Sequence, residues 1–306
     1  MSISRREFLK STYAVGAAVS GMASPAEAAV PRVSSEWYGM LTDLSLCVGC
    51  RQCEWACNKA HGLPNQPLSA FEDKSVFENL RRTDAEKFTV VNRFRVGDTD
   101  QPVYVKKQCM HCLEPACASA CPVDAYTKTK EGPVVYNKDV CIGCRYCMVA
   151  CPFGIPTYEY SNAFTPKIEK CTMCHERFAE EGKKPACADA CPEEAITFGK
   201  RADLIALARE KIQRHPDRYV DHIYGEHEAG GTCWLYISPV PFEQLGFPTD
   251  IGTTPLPELT EGDLTTTVPL VLAAWPMLLM GTYAFNHKRN ERDRQLDGKP
   301  TWEAVP

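Results

Sequence analysis

The fold of this chain is decided by residues 108–152, QCMHCLEPACASACPVDAYTKTKEGPVVYNKDVCIGCRYCMVACP. The stretch holds two runs of four cysteines, and each run ends in Cys-Pro. The eight positions are Cys109, Cys112, Cys117, Cys121, Cys141, Cys144, Cys147 and Cys151. Residues 125–127 and 133–136 are strand-like, and residues 130–132 between them indicate a turn. The stretch therefore predicts one small domain built around a β-hairpin and eight thiols.

The spacing of these cysteines indicates iron-sulfur chemistry. Three thiolates a few residues apart can wrap one [4Fe-4S] cluster, while a fourth just before proline points toward a second cluster. This is the pattern of bacterial two-cluster ferredoxins. Crossed ligation then gives two predicted sets of ligands. One set is Cys109, Cys112, Cys117 and Cys151, and the other is Cys121, Cys141, Cys144 and Cys147.

The pattern occurs twice in the chain. The segment CVGCRQC at residues 47–53 returns almost unchanged as CIGCRYC at residues 141–147, which indicates an internal duplication. Because the two middle runs are joined by their own hairpin, the outer two runs are left to pair. Residues 38–41 can supply the strand that residues 195–198 need beside them. The outer sets are then Cys47, Cys50, Cys53 and Cys191, and Cys57, Cys171, Cys174 and Cys187.

We therefore predict an α+β fold with two nested ferredoxin-like domains and one C-terminal transmembrane helix. Residues 108–152 form the inserted domain, and residues 29–107 and 153–238 form the outer one. Residues 202–214 have helical apolar spacing, and residues 230–237 predict a strand. Cys233 in that strand has no partner at ligand spacing, so we expect a small buried apolar residue and not a reactive thiol.

Four structural zinc sites and a disulfide scaffold are the alternatives to clusters. Sixteen of the 17 cysteines fall into the four sets, which favours four [4Fe-4S] clusters. Zinc sites usually pair two C-x2-C knuckles at a distance, whereas each run here has several close thiolates and ends in one further cysteine. The clusters are therefore the favoured cofactors.

The N-terminus, residues 1–28, predicts export. Residues 4–10, SRREFLK, form a twin-arginine signal, followed by an apolar run at residues 13–22 and a cleavage site at residues 26–28. That route carries folded proteins, so the cysteines can bind iron before they leave the reducing cytoplasm for a compartment that favours disulfides. The net charge of -5 offers no basic patch for nucleic acid.

The C-terminal part predicts a membrane anchor. Residues 239–263 are proline-rich and predict a linker, and residues 264–286 contain no charged side chain. About 20 apolar residues suffice to cross a bilayer, with a buried core helix as the alternative. Basic residues follow the span, and the positive-inside rule places the tail, residues 287–306, in the cytoplasm. The cysteine domains are then expected on the periplasmic side of the bacterial inner membrane.

The remaining polar residues carry no predicted chemistry. Residues 58–107 are expected to be a surface insertion without regular structure. His111 and His175 lie beside cysteines and are expected to make ordinary hydrogen bonds or to lie at the surface. Four basic residues near the cysteines are expected on a solvated face. They are Lys106, Lys107, Arg145 and Lys170.

No catalytic centre accompanies the cysteines in the sequence. We find no nucleotide fingerprint, nucleophile motif or open metal site. The leading hypothesis is therefore a non-catalytic electron-transfer subunit. A structural or assembly module, whose metals only hold the fold, is the alternative from a different class.

Several segments resemble a known family. KKQCMHC at residues 106–112, GCRYCMVACP at residues 143–152 and residues 224–232 resemble the four-cluster iron-sulfur subunits of bacterial respiratory oxidoreductases, most of all the membrane-anchored type of hydrogenase-2. The resemblance covers nearly the whole chain and implies the nested cluster pairing. It also implies two partners, a periplasmic catalytic subunit and an integral membrane subunit that reacts with quinone. The catalytic partner is expected to be a nickel-iron hydrogenase, with formate dehydrogenase or another molybdopterin enzyme as the alternative.

Overall fold

The computed structural model describes residues 36–97, 101–162 and 166–296. The predicted export signal and residues 297–306 of the predicted tail lie outside the described residues. The strands are β1 Tyr38–Asp43, β2 Val90–Phe94, β3 Val103–Lys107, β4 Tyr126–Lys128, β5 Val134–Tyr136, β6 Thr157–Tyr158, β7 Ile168–Glu169, β8 Ile196–Lys200 and β9 Trp234–Ile237. The helices are α1 Gln52–Ala60, α2 Ala116–Ser119, α3 Tyr146–Ala150, α4 His175–Ala179, α5 Ala186–Asp189, α6 Arg201–Arg214, α7 Leu256–Gly262 and α8 Val268–Leu296.

A three-stranded sheet with the order β8, β1, β9 joins distant parts of the chain. β1 pairs antiparallel with β8, where Leu41 lies opposite Thr197, and it pairs parallel with β9. The predicted pairing of residues 38–41 with residues 195–198 is therefore confirmed. β9 begins later than predicted, because Glu228–Gly230 forms a 3-10 turn before it.

Helix α6 covers one face of this sheet. Its Leu204, Ala208 and Ile212 are buried together with Leu41 and Leu235 in one apolar cluster. These helix positions are separated by four residues, so they lie along one side of the helix, as the sequence predicts. The opposite face of the sheet contacts a larger core that contains many of the cysteines.

The hairpin predicted within residues 108–152 is confirmed. β4 and β5 pair antiparallel, with Tyr126 opposite Tyr136 and Thr127 opposite Val135. Tyr126 and Val134 are buried beside Cys147, so the hairpin closes a small core of its own. Helix α2 carries Cys117 of the first run and helix α3 carries Cys147 of the second, and the two helices pack against each other.

Residues 58–107 are not the irregular surface insertion that we expected from the sequence. They contain the 3-10 helices Leu68–Glu72 and Ser75–Phe77 and the antiparallel β2–β3 hairpin. Phe77, Val91 and Val105 are buried in the same core as the cysteines. The strands escaped prediction because neighbours such as Val90 and Val91 are both buried, which removes the alternating pattern of a half-exposed strand.

The C-terminal residues form one long apolar helix. α7, a π-helical turn at Asp263–Thr267 and α8 follow one another without a break. Leu256–Gln295 has a mean hydropathy of 1.6 in its most apolar window, none of which is buried, and is long enough to cross a membrane. The helix begins inside the predicted linker, whose Phe242 and Leu245 are also buried in the core.

Candidate iron-sulfur centres

All seventeen cysteines lie in the described residues, and all are free thiols. The disulfide scaffold considered above is therefore absent from this part of the chain. We number the four predicted sets in the order of their first cysteine. Site 1 is Cys47, Cys50, Cys53 and Cys191; site 2 is Cys57, Cys171, Cys174 and Cys187; site 3 is Cys109, Cys112, Cys117 and Cys151; site 4 is Cys121, Cys141, Cys144 and Cys147.

The thiols of site 1 line one cavity, although Cys191 is far from the other three in sequence. Pairing of β1 with β8 brings the two ends of the outer sequence together. Burial raises the pKa of Cys47 to about 11, the N–H of Gly49 lowers it, and the nearby thiolates of Cys191 and Cys50 raise it. These effects place Cys191 beside the C-x2-C turn of the first run.

The thiols of site 2 meet where α1 packs on α5. Cys57 lies on α1 and Cys187 on α5, and both are buried. Burial raises the pKa of Cys57, and the thiolates of Cys171, Cys187 and Cys174 raise it further. The structure therefore brings all four members of site 2 together.

Site 3 contains thiols from both runs of residues 108–152. Burial raises the pKa of Cys112, and the thiolates of Cys109, Cys151 and Cys117 raise it further. The N–H of His111 donates to Cys109 Sγ at 3.5 Å. Cys151, the last cysteine of the second run, therefore lies with the first three of the other run.

Site 4 contains the other four thiols of that stretch. Burial raises the pKa of Cys147, the hydroxyl of Tyr126 lowers it through a hydrogen bond, and the thiolates of Cys141, Cys144 and Cys121 raise it. Tyr126 Oη donates to Cys147 Sγ at 3.4 Å. Cys144 is exposed, which makes site 4 the only set with an exposed member.

The duplicated runs share an unusual backbone geometry. Gly49 and Gly143 have φ of 67° and 68°, and Arg51 and Arg145 have φ of 64° and 61°. Left-handed φ is rare for an arginine, so its presence at the same place in both copies supports the duplication. At Gly49 a side chain is also excluded by space, because a Cβ would lie 2.3 Å from the ring of Tyr104.

The residues present fit an iron-sulfur group better than a single zinc ion. No three His, Cys, Asp or Glu side chains of the described residues are close enough to share one metal ion. Four thiolates at a Zn–S distance of about 2.3 Å would need such close contact. Backbone N–H groups donate to sulfur at site 4, from Ala125 to Cys121 Sγ at 3.3 Å and from Gly143 to Cys141 Sγ at 3.4 Å, and at site 2, from Met173 to Cys171 Sγ at 3.3 Å. Such bonds stabilise cluster thiolates and tune their potentials.

Two of the four basic residues expected on a solvated face are buried. Lys106 and Lys170 are 2% and 3% exposed, so the prediction is wrong for both. Lys170 Nζ donates to the carbonyls of Val134 and Cys171. Arg145 is exposed, as predicted, and Lys107 is half-buried. The error arises because burial of a lysine depends on distant parts of the chain that pack over it.

Histidines contact the sites in ways that the sequence only partly predicts. His111 is fully buried, its Nδ1 accepts from the N–H of Val134 at 3.0 Å, and its Nε2 has no partner in the described residues. His175 pairs with Glu131 at 2.9 Å near the surface. His61, which carried no sequence signal, lies 3.5 Å from Cys174 Sγ. A buried Nε2–H without a protein partner at His111 is what a nearby sulfide acceptor would satisfy.

Cys233 is buried, as expected from its place in an apolar strand. Its Sγ accepts from Lys128 Nζ at 3.4 Å. Burial raises the pKa of this thiol, while the charges of Lys128 and Arg201 lower it. The prediction that Cys233 is buried is therefore confirmed.

Comparisons with known proteins agree with this chemistry. The family model described as a 4Fe-4S dicluster domain matches residues 101–201. A protein of Nitratidesulfovibrio vulgaris is 50% identical over 292 residues, which cover 94% of this chain and 78% of that protein. Hydrogenase-2 operon protein HybA of Escherichia coli O157:H7 is 34% identical over 281 residues, covering 80% of this chain and 84% of HybA.

A second group of relatives comes from formate oxidation. The iron-sulfur subunit of the nitrate-inducible formate dehydrogenase of Escherichia coli K12 is 32% identical over 205 residues, covering 64% of this chain and 66% of that subunit. Together with four groups of free thiols and the 4Fe-4S domain match, these relatives identify the chain as a member of the family of iron-sulfur electron-transfer subunits that includes HybA and the formate dehydrogenase iron-sulfur subunits.

Proposed function

We propose that the chain carries four [4Fe-4S] clusters, one at each of sites 1 to 4, and relays electrons without catalysing a reaction itself. The observation that carries the proposal is the gathering of sixteen thiols into four groups of four, each drawn from two separate runs. A cluster supplies reversible one-electron transfer. The residues described here hold the thiolates, donate hydrogen bonds to them and exclude water from most of the sites.

The four sites form a single row in the order 1, 2, 3, 4. Contacts between charges support each step of this order. Cys53 of site 1 interacts with Cys187 of site 2, Cys171 of site 2 with Cys109 of site 3, and Cys117 of site 3 with Cys147 of site 4. Sites 1 and 4 are then the two ends at which electrons enter and leave.

The nested domains predicted from the sequence supply this row. Residues 108–152 hold sites 3 and 4 around the β4–β5 hairpin, while residues 29–107 and 153–238 hold sites 1 and 2 around β1 and β8. The two observed strand pairings support the division. Insertion of one domain within the other sets site 2 beside site 3.

The end at site 4 faces the membrane partner in this proposal. Helix α7, which leads into the apolar helix, packs on α2, and α2 carries Cys117 of site 3, which interacts with Cys147 of site 4. Near site 4, Ile142, Tyr146 and Val149 are large, apolar and exposed, with Val149 at 81%. Exposed apolar patches of this kind mark interaction sites. An integral membrane subunit that reacts with quinone is the proposed occupant, and the catalytic subunit then docks at site 1.

The predicted topology belongs to the same proposal. The apolar helix crosses the bacterial inner membrane once, the cysteine domains lie on the periplasmic side, and residues 287–306 lie in the cytoplasm. Length and hydropathy of Leu256–Gln295 support the crossing. The basic residues after the helix support the orientation.

A nickel-iron hydrogenase is the proposed catalytic partner. The alignment with HybA extends over 84% of that protein, whereas the alignment with the formate dehydrogenase subunit extends over 66%. A formate dehydrogenase or another molybdopterin enzyme is the second candidate, favoured by that second alignment. Purification of the native complex decides between them, because a nickel-containing subunit supports the first and a molybdenum-containing subunit supports the second.

Metal analysis tests the number and kind of centres. The purified chain is expected to contain about 16 iron atoms and about 16 acid-labile sulfides, which corresponds to four clusters. Stoichiometric zinc without sulfide would contradict the proposal. It would favour the structural or assembly module, whose metal gives no reducible signal.

A further inference from the structure

Lys106 is a buried cation without a buried anion of its own. Its side chain lies on β3, is 2% exposed, and forms no ion pair with a carboxylate in residues 36–97, 101–162 or 166–296. Nζ donates to Gln108 Oε1 at 2.9 Å and lies 4.4 Å from the ring centre of Trp234. An amide oxygen and an aromatic face compensate a buried ammonium only in part, so a further anionic neighbour is required.

The missing negative charge lies at the two outer sites. Lys106 lines the same cavity as the four thiols of site 1. Its charge also acts on thiols of both outer sites, namely Cys47, Cys53, Cys57, Cys171 and Cys174.

The surroundings hold the ammonium in this place. Gln108 Nε2 donates to Tyr236 Oη, and Tyr236 Oη donates to the carbonyl of Lys106 at 2.8 Å. Gln108, Tyr236 and Trp234 are themselves buried. The side chain therefore cannot turn to water, and its charge stays between the two outer sites.

We propose that Lys106 is a counter-ion shared by sites 1 and 2 and that it raises the reduction potentials of the groups bound there. The proposal rests on the cluster ligation proposed above. Uptake of one electron adds one negative charge at a site, with no bond formed or broken and no proton transferred. A fixed positive charge nearby favours that step, and its effect is large because the surroundings are dry.

Site 4 has a different electrostatic environment. Cys144 there is exposed, whereas Cys47, Cys53 and Cys57 of the outer sites are half-buried or buried. Water can solvate the added charge at such a site. Removal of the charge at Lys106 is therefore expected to lower the reduction potentials of sites 1 and 2 and to leave the reduction potential of site 4 unchanged.

The test is a potentiometric titration of the purified full-length chain, followed by EPR spectroscopy. In Lys106→Met and Lys106→Gln, two of the reducible signals are expected to become at least tenfold harder to reduce at a given potential, which is about 59 mV for a one-electron couple. Lys106→Arg keeps the charge and is expected to behave like the wild type. Lys107→Met is the matched control, since Lys107 lies on the same strand but interacts with Arg82 and with Cys151 of site 3, so the signals of sites 1 and 2 are expected to stay unchanged.

Two results would overturn the role of Lys106. One is an unchanged set of potentials in both neutral variants with full iron content. The other is the same shift in Lys107→Met. The neutral variants can also lose iron. Loss of about half of the iron, restored in Lys106→Arg, supports a counter-ion shared by two sites. Loss of all iron in every Lys106 variant indicates a purely structural residue. Iron content of the wild-type chain tests the four-cluster proposal separately.

Discussion

At the scale of single residues, Arg51 and Arg145 show how the two copies diverged. Both follow the second cysteine of a run with the same left-handed φ. Arg51 is buried, donates to the carbonyls of Phe71 and Asp73 and stacks on the ring of Phe71. Arg145 is exposed and lies over Tyr158. Residues 58–107 therefore cover the face of the first copy, while the same face of the second copy is exposed.

Crossed ligation is testable with single cysteines. Cys151→Ser and Cys109→Ser are expected to perturb the same EPR signal, because both thiols belong to site 3 although they come from different runs. Cys141→Ser is the control and is expected to perturb another signal. If Cys151→Ser and Cys141→Ser instead perturbed the same EPR signal, each run would bind its own cluster.

The sequence predicts which cysteines lie together because crossed spacing is a local pattern that repeats, while ligation of a cluster by each set stays a prediction. Each of the four predicted sets is brought together in the structure, Cys191 with Cys47 included. It does not predict Lys106 as a buried residue, since the groups that bury it, Trp234 and Tyr236, lie more than a hundred positions away in the chain. Burial by such long-range packing cannot be predicted from the residues next to Lys106 in the sequence.

At the scale of elements, a buried carboxylate ties the β2–β3 hairpin to helix α1. Glu54 on α1 accepts from both terminal nitrogens of Arg81 and from the N–H of Val91 at 2.6 Å. Its side chain is 4% exposed and that of Arg81 is 20% exposed. Because α1 carries Cys53 and Cys57, this ion pair also holds thiols of sites 1 and 2.

Loss of that pair is expected to destabilise the outer sites. Glu54→Gln removes the negative charge and leaves the positive charge of Arg81 largely buried and uncompensated, at a cost of about 3 kcal/mol. The concentration of guanidinium chloride at which half of the cluster absorbance is lost should therefore fall. Glu181→Gln is the control, because its partner Lys183 is exposed and such pairs contribute about 1 kcal/mol or less. Equal midpoints for the two variants would contradict the role of Glu54.

Elements were predicted from the sequence where their pattern is local. The β4–β5 hairpin and α6 follow from a turn signal and from helical spacing, and both are confirmed. The β2–β3 hairpin was missed because both of its faces contact other parts of the chain. Short helices such as α2 and α5, with four residues each, are too short to show a periodicity of their own.

At the scale of the whole molecule, we propose a row of four cluster sites tethered to a membrane. A tether keeps one end of the row close to its integral partner, since linkage raises the local concentration of the two. Removal of residues from 264 onward is expected to release a protein that keeps its iron but reduces the quinone pool poorly. Restoration of coupling by an unrelated single-pass anchor would show that tethering is the main role of the helix. A truncated chain that stays in the membrane fraction would contradict the anchor.

We propose above that the chain takes up and passes on electrons at four centres. Stepwise reduction of the purified chain, with the electrons counted by coulometry, tests it most directly. We expect a reversible uptake of about four electrons per chain, one for each [4Fe-4S] cluster. An uptake of about two electrons would contradict the four-site row, and no uptake at all by a metal-loaded chain would show that the metals only hold the fold.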